Sequence, residues 1–302
     1  MSIVEVDNLT KTYGSLTAVS DFSFRAERGE LIVLMGPDGA GKTTTFRAVC
    51  GLITLDSGRI TVAGHDVSHD FKQVKPILGY MPQVFSLYPD LSVEENLRFY
   101  AGLFGLKRRE YELKRERLYE FSGLEPFASR RVEALSGGMK QKLALSCSLI
   151  HDPQVLILDE PTTGVDPLSR RQFWDILRML KARGAVVIVS TPYMDEAAKA
   201  DRAIFLFNGK CLAEGTPRQL AGGFQGMAYR ADRLLPIERL DIINAGGGIA
   251  ARRFGTAIHI YLDRGRTLEE FTDILAAAGL HADTLTQIKP ELEDAFIQLM
   301  DK

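Results

Sequence analysis

Apolar and polar residues alternate from residue 3 to 13 and again from 16 to 24, with Gly14 between the two runs. A period of two with a turn residue at its centre predicts a pair of antiparallel strands. The pattern then changes. Leu31-Ile32-Val33-Leu34-Met35, Val155-Leu156-Ile157-Leu158 and Ala185-Val186-Val187-Ile188-Val189 are short, unbroken apolar runs, as expected for strands buried on both faces of a parallel sheet. A helical stretch follows each. Residues 93–104 and 110–123 carry helix signal, which predicts a helical subdomain over about residues 84–138 inserted into the sheet domain. Thr216-Pro217 reads as an N-cap with proline at the first helical position, and a domain boundary is placed there, between 1–216 and 217–302. Beyond it the pattern predicts strand 227–230, helix 236–245, strands 249–254 and 257–262 around Gly255, helix 267–278, strand 283–288 and helix 290–300. Without the last helix the order is β-α-β-β-α-β, a small α+β domain of the split βαβ, ferredoxin-like kind.

Composition narrows the function. With 45% apolar and 25% charged residues in 302, the chain has the material for a real core. A net charge of −2 gives no electrostatic footprint for nucleic acid, and no nucleic-acid partner is expected. The densest basic stretch, Lys107, Arg108, Arg109, Lys114, Arg115 and Arg117, is interrupted by Glu110, Glu112 and Glu116 at helical spacings and reads as a solvated helix face. Cys50, Cys147 and Cys211 fit neither a disulfide framework nor a zinc cluster and are expected to be reduced, buried thiols. The first residues lack the basic and apolar regions of a signal peptide. No apolar window reaches the length needed to span a bilayer, so membrane association is expected to come through a partner.

The chemistry begins after the first apolar run. Gly36-Pro37-Asp38-Gly39-Ala40-Gly41-Lys42-Thr43, followed by Thr44, fits G-x-x-x-x-G-K-[ST] between a predicted strand and a predicted helix. Glycines let successive backbone N–H groups turn toward phosphate oxygens, and the helix N-terminus adds partial positive charge. Lys42 then reaches the β- and γ-phosphates and Thr43 offers a hydroxyl to Mg²⁺. Asp159 and Glu160 end the second run, at the sheet edge where open α/β folds bind ligands. Asp159 is the candidate Mg²⁺ ligand through water, and Glu160 the candidate general base.

Leu135-Ser136-Gly137-Gly138-Met139-Lys140-Gln141, before a helical stretch, resembles the signature motif of the ABC ATPases. The resemblance extends over about the first 215 residues. It implies an ABC-type P-loop NTPase with an antiparallel β subdomain and an inserted helical subdomain, using ATP and Mg²⁺. It also implies roles for Tyr13 as an adenine-stacking aromatic, for Gln83 as a catalytic and metal-facing amide, and for Gly164-Val165-Asp166 as the D-loop. Ser136, Gly137 and Gly138 would form a second anion site at a helix terminus, facing the ATP held by another cassette. Met139 departs mildly from the family's usual Gln or Glu. Gly36-Pro37-Asp38-Gly39, Gly79-Tyr80-Met81-Pro82-Gln83 and the tail Pro290-Glu291-Leu292-Glu293-Asp294-Ala295-Phe296 resemble ATPases of exporters, including drug-efflux systems, that carry paired, unequal cassettes.

One departure matters more. Where the family has Ser-Thr-His, this chain has Ser190-Thr191-Pro192, and proline brings neither a side-chain donor nor a backbone N–H. The expectation is an impaired site on this chain's own phosphate loop and a partner ATPase subunit with an intact histidine; a homodimer is the alternative. A separate integral-membrane permease is expected to dock a short helix near Val84, Phe85, Leu87 and Tyr88, which places the chain peripherally on the cytoplasmic side of the membrane. Three readings compete: a non-transport mechanoenzyme of the same superfamily, a module that holds ATP without turnover, and a small-molecule kinase. Only one phosphate loop and no sustained heptads appear, against the first, and the last has no use for residues 135–141.

Overall fold

The computed structural model describes residues 2–84 and 87–300 and divides into two compact units, Met1–Pro217 and Arg218–Lys302. In the first unit β1 (Ser2–Tyr13) and β2 (Leu16–Glu27) pair antiparallel. The alternation in their sequences becomes one buried face carrying Val4, Val6, Leu9, Val19, Phe22 and Phe24. β3 (Leu31–Met35) is buried along its whole length and runs through the glycine loop into α1 (Lys42–Val49). β4 (Ser57–Val62) and β5 (His65–Asp66) complete a four-stranded sheet of order β2-β1-β4-β5.

After α2 (Phe71–Val74) and β6 (Leu78–Met81) come α3 (Val93–Leu103), α4 (Arg108–Ser122) and α5 (Gly137–Leu149). A reciprocal cap fixes the start of α3: Ser92 N–H donates to Glu95 Oε2 at 2.8 Å and Glu95 N–H to Ser92 Oγ at 3.2 Å. Only half of α4 is the solvated face that its charges suggest. Arg108–Glu112 and Lys114–Glu110 are i,i+4 pairs, but Tyr111, Leu118 and Tyr119 are buried. On that side Glu94 accepts from the Tyr111 and Tyr119 hydroxyls at 2.8 and 2.6 Å and pairs with Arg115 at 3.5 Å.

The remaining elements of this unit are β7 (Val155–Asp159), α6 (Pro167–Ala182), β8 (Val186–Thr191), α7 (Met194–Ala197), β9 (Arg202–Phe207) and β10 (Lys210–Gly215). They build a six-stranded sheet of order β10-β9-β3-β8-β7-β6, parallel throughout except at the β9–β10 pair. Because β3, β8 and β7 are neighbours and parallel, the loops that leave them lie side by side at one edge, where ligands of open α/β sheets bind. A single core joins the two sheets through α1, with Phe22, Ile32, Leu34, Phe46, Val49 and Ile188 packed in it. Cys50 and Cys147 are buried free thiols, whereas Cys211 is exposed. The expectation of three buried thiols fails there because β10 is the edge strand and nothing in its alternation decides which side is covered.

α8 (Pro217–Gly222) begins at the boundary between the units, and β11 (Met227–Ala231), α9 (Ile237–Asn244), β12 (Ile249–Phe254), β13 (Ala257–Leu262), α10 (Thr272–Ala277), β14 (Thr286–Ile288) and α11 (Leu292–Met300) follow. The sheet order is β12-β13-β11-β14, with every pair antiparallel. Three boundaries differ from the sequence pattern. The helix expected over 267–278 is broken into a 3-10 turn, Leu268–Phe271, and α10, with Thr267 N–H held by Glu270 Oε1 at 2.9 Å. The strand expected over 283–288 shrinks to three residues. Thr284 Oγ1 donates to His281 O at 2.6 Å, a local bond that competes with the strand ladder. α11 starts after Pro290 because Asp294 Oδ2 takes the Glu291 N–H at 2.6 Å and makes Glu291 the cap.

Candidate functional site

The glycine loop is held by close approach. A Cβ on Gly36 would sit 2.3 Å from Leu206 O, and one on Gly41, whose φ is 104°, would sit 2.5 Å from Ala18 O. Any side chain at either position would push the loop off β9 and β2. Pro37, Asp38 and Gly39 are exposed while Ala40 is buried, with Ala40 N–H donating to Pro37 O at 3.1 Å. Lys42 is only 5% exposed. Its Nζ donates to Gly36 O at 2.8 Å and Pro37 O at 3.1 Å, so the loop curls around its own ammonium group. Thr43 and Thr44 are half-buried in the first turn of α1, a turn without acidic residues. The positive end of that helix is therefore uncompensated by its own side chains.

Two carboxylates close the site from the neighbouring strand ends. Asp159, the last residue of β7, is fully buried and lies opposite Ser190 of β8 in the parallel register. Ser190 Oγ donates to Asp159 Oδ1 at 2.6 Å and accepts the Glu160 N–H at 2.9 Å, so one hydroxyl holds both acidic residues. Asp159 Oδ2 is buried without a hydrogen-bond partner. A lone carboxylate oxygen shielded from water favours a cation or its water shell as partner. Burial, and then the nearby Asp159, push the Tyr80 hydroxyl up to about 12 and raise the Cys50 thiol as well.

Glu160 has φ 47°, a left-handed conformation uncommon outside glycine. The turn that results aims its carboxylate back at the loop. Oε1 lies 3.4 Å from Lys42 Nζ, and Oε2 accepts from Gln83 Nε2 at 3.0 Å and Thr163 Oγ1 at 3.3 Å. The structure thus brings together Lys42, Gln83, Asp159 and Glu160 out of the residues singled out in the sequence. Ser190 and Thr163 belong to the same cluster and were missed as site residues. Ser190 sits beside the noticed Pro192, and a hydroxyl directly across a parallel pair from an acidic strand end is the signal that could have found it. Pro192 itself is exposed just past β8.

The other candidates lie elsewhere. Ser136 caps α5, its Oγ accepting the Met139 N–H at 3.3 Å, and Asp166 caps α6, accepting the Ser169 N–H at 2.9 Å. These two helix starts share a corner: a Cβ on Gly138 would meet Ser169 Oγ at 2.5 Å and Asp166 Oδ2 at 3.8 Å, and one on Gly137 would lie 4.0 Å from Gly164 O. Among the described residues no hydrogen bond or ion pair joins that corner to Lys42 or Glu160. Tyr13, at the end of β1, is 46% exposed, with Lys11 Nζ 5.5 Å from its ring centroid. Val84 is 82% exposed, and Tyr88, also exposed, packs edge-on against Phe99 at 4.6 Å. Leu87 is half-buried, and Phe85 lies outside the described residues. No described helix is long and apolar enough to cross a membrane. No group of three or more His, Cys, Asp or Glu among the described residues could hold a metal ion alone.

Comparison with known proteins bears on all of this. A family model described as ABC transporter matches residues 19–163. The probable multidrug ABC transporter ATP-binding protein YbhF of Escherichia coli K12 is 45% identical over 219 residues, 72% of this chain and 38% of that protein. The chain therefore spans about two fifths of the length of that relative. The Nod factor export ATP-binding protein I of Rhizobium etli is 37% identical over an alignment covering 99% of this chain and 93% of that one. Among solved structures, an ATP-binding subunit of an ABC transporter superposes with a TM-score of 0.67 at 32% identity, covering 73% of this chain and 92% of that one. The dimeric, post-hydrolysis ATP-binding cassette MJ0796 bound to ADP and Pi superposes with a TM-score of 0.64 at 25% identity, covering 70% and 98%.

Proposed function

Since the chain belongs to the family of ABC transporter ATP-binding proteins, we propose that it binds and hydrolyses ATP with Mg²⁺ to drive transport through a separate membrane permease. The observation that carries this reading is the buried pair Asp159–Glu160, one oxygen of it unpartnered and another 3.4 Å from the lysine of the phosphate loop. Loop N–H groups from Gly36 to Thr44 and the α1 terminus receive the phosphates, and Lys42 pairs with their outer oxygens. Thr43, Asp159 and Gln83 are the residues that would hold Mg²⁺, and the ion would neutralise charge on the β- and γ-phosphates. Glu160 takes a proton from the attacking water as that oxygen bonds to the γ-phosphorus and the bridging bond to ADP breaks. Gln83 and Thr163 fix its carboxylate, and Tyr13 offers a face for adenine.

Ser136, Gly137, Gly138 and Asp166 form a corner apart from this chain's own Lys42 and Glu160, which supports a site completed between two cassettes. Pro192 adds asymmetry. With no donor at that position, transition-state charge at this chain's site loses a stabilising bond worth about 3 kcal/mol. The second cassette is therefore a different subunit, with this chain lending it the Ser136 corner. The permease docks against exposed Val84 and Tyr88, next to Gln83, from the cytoplasmic face. Export is the direction supported by the name of the Nod factor relative. Pro192 also favours a second reading, in which the chain holds ATP and regulates a partner without turnover.

Phosphate release by the purified chain, alone and with candidate partner cassettes, tests the reading against Glu160→Gln as the blank. Release restored by a partner, and sensitive to Ser136 of this chain, is the expected result. Brisk release by the chain alone would sink the unequal pair, and release indistinguishable from the blank in every mixture would sink hydrolysis at this site.

A further inference from the structure

Glu196, in α7, is a fully buried carboxylate that the reading above does not use. Its two oxygens face two different elements of the site, the turn after β7 and the end of β8. Oε1 accepts from Thr162 Oγ1 at 2.7 Å, and Oε2 accepts from Thr191 Oγ1 at the end of β8. Arg170 Nε, from α6, lies 3.9 Å from Oε1, and its guanidinium stacks on Tyr193 at 4.6 Å. Tyr193 N–H donates to Thr191 Oγ1 at 3.1 Å. The residue thus joins the turn after β7, the end of β8 with the Pro192 segment, and the helix capped by Asp166.

The turn after β7 needs such an anchor. Glu160 sits at φ 47°, a conformation that costs about 1 kcal/mol or more and persists only where surrounding contacts over-determine it. Within the turn the bonds are long: Thr163 N–H to Glu160 O at 3.3 Å and Val165 N–H to Thr162 O at 3.2 Å. Gln83 and Lys42 hold the Glu160 carboxylate from outside, while Ser190 Oγ on the Glu160 N–H and Glu196 on the Thr162 hydroxyl anchor the turn itself. For stability alone a buried carboxylate with a cation at 3.9 Å is a poor choice, because a well-packed apolar residue is often as good or better. What the carboxylate adds is direction: two acceptors that fix two hydroxyls, one from the turn after β7 and one from the end of β8, in one geometry.

We propose that Glu196 is a positioning residue for hydrolysis at Glu160, clamping the Glu160–Thr163 turn to the end of β8 through Thr162 and Thr191. The proposal rests on the hydrolytic reading and adds to it a residue that touches neither nucleotide nor metal. It acts on the orientation of the Glu160 carboxylate and not on the phosphate loop, so catalysis and nucleotide affinity respond separately.

The test uses the full chain with whichever partner supports turnover, and compares Glu196→Gln, Glu196→Leu and Thr162→Val. Glu196→Leu is expected to lower kcat about a hundredfold while the KM for ATP and the affinity for trinitrophenyl-ATP stay within about twofold of wild type. Amide exchange in the peptide spanning 160–166 rises about tenfold, with exchange in β3 unchanged. Glu196→Gln, which keeps an acceptor for one hydroxyl and a donor for the other, recovers most of both. Thr162→Val reproduces a smaller part. Wild-type kcat and wild-type exchange in Glu196→Leu overturn the proposal. Lost trinitrophenyl-ATP binding in a Glu196→Leu chain that still unfolds cooperatively also overturns it; if that variant shows no cooperative unfolding, Thr162→Val decides, and unchanged exchange over 160–166 overturns the proposal equally. Wild-type release equal to Glu160→Gln in every mixture overturns the hydrolytic reading instead, and the exchange measurement still settles whether the clamp exists.

Discussion

Asp159 in the first unit and Asp294 in the second are both fully buried carboxylates, and they are satisfied in opposite ways. Asp294 Oδ1 accepts from His259 Nδ1 at 2.8 Å and Tyr261 OH at 2.7 Å, and Oδ2 from the Glu291 N–H at 2.6 Å. Burial, and then Asp294, hold the Tyr261 hydroxyl far above its ordinary range, as a donor should be. The carboxylate ties α11 to β13 with both of its oxygens partnered. Asp159 keeps Oδ2 without a partner inside a site that also holds Lys42 and Glu160. A buried acceptor left open destabilises a fold, so the difference separates a carboxylate that serves structure from one that serves a ligand.

The largest expected effect breaks the comparison at Asp159. Asp159→Asn should lower Mg²⁺-supported phosphate release by the active complex about a thousandfold, and Mg²⁺ should no longer strengthen nucleotide binding. Its melting temperature should be unchanged or higher, because a buried charge lacking a partner is removed. A melting temperature that falls together with activity would place Asp159 in the same class as Asp294. At Asp294 the signs reverse. Asp294→Leu strips the acceptor from three donors and should cost the second unit about 3 kcal/mol. Amide exchange along β13 should accelerate by roughly a hundredfold, with phosphate release little changed. Trp174, buried in the first unit, reports separately on that unit. Undisturbed exchange in β13 would refute the structural assignment.

Pro192→His extends the comparison from an acceptor without a donor to a position without either. Restoring a donor there should raise phosphate release by this chain's own site by up to about a hundredfold, read with a partner whose own glutamate has been neutralised. No gain would show that neighbouring residues already do the work, which removes the argument for an unequal pair.

What could be read from the sequence follows from how far apart the partners lie along the chain. Residues 36–44 carry their chemistry consecutively, so a strand, a glycine turn and a helix start are visible together. Asp159 and Glu160 are visible for the same reason, as is Ser136 before its glycines. The Ser190 hydroxyl that holds both carboxylates comes from a strand about 30 residues away, and its role depends on which strands are neighbours and in what register. Glu196 is equally silent, since its meaning lies in Thr162. The Asp294 group unites residues 33 to 35 apart through a sheet and a helix, and in the sequence that stretch shows only its resemblance to a family tail. Long unbroken runs and strict alternation announced the strands. Where local side-chain bonds compete with the ladder, as at Thr284, periodicity alone overran the element.

The smallest effect sharpens the comparison by adding an intermediate case. Glu94 is half-buried between α3 and α4. Burial alone would raise its pKa, but the hydroxyls of Tyr119 and Tyr111 and the charges of Arg115 and Arg98 outweigh that and hold it below the ordinary carboxylate range. A carboxyl depressed in the folded state contributes stability that is present above its unfolded pKa and lost as pH falls through the folded one. The helical subdomain should therefore begin to weaken as pH falls through about 4.3, where an ordinary Glu is half protonated, and lose the rest of this contribution below it. Solvent screening keeps the effect to about 1 kcal/mol. Glu94→Gln should cost that amount in urea titrations at pH 7 and progressively less as the pH is lowered through and below 4, since the wild-type carboxyl is then neutral as well. A difference that persists undiminished at low pH would mean that Glu94 acts through packing rather than charge. Glu94 would then hold the fold through its packing partners and not through its ionisation.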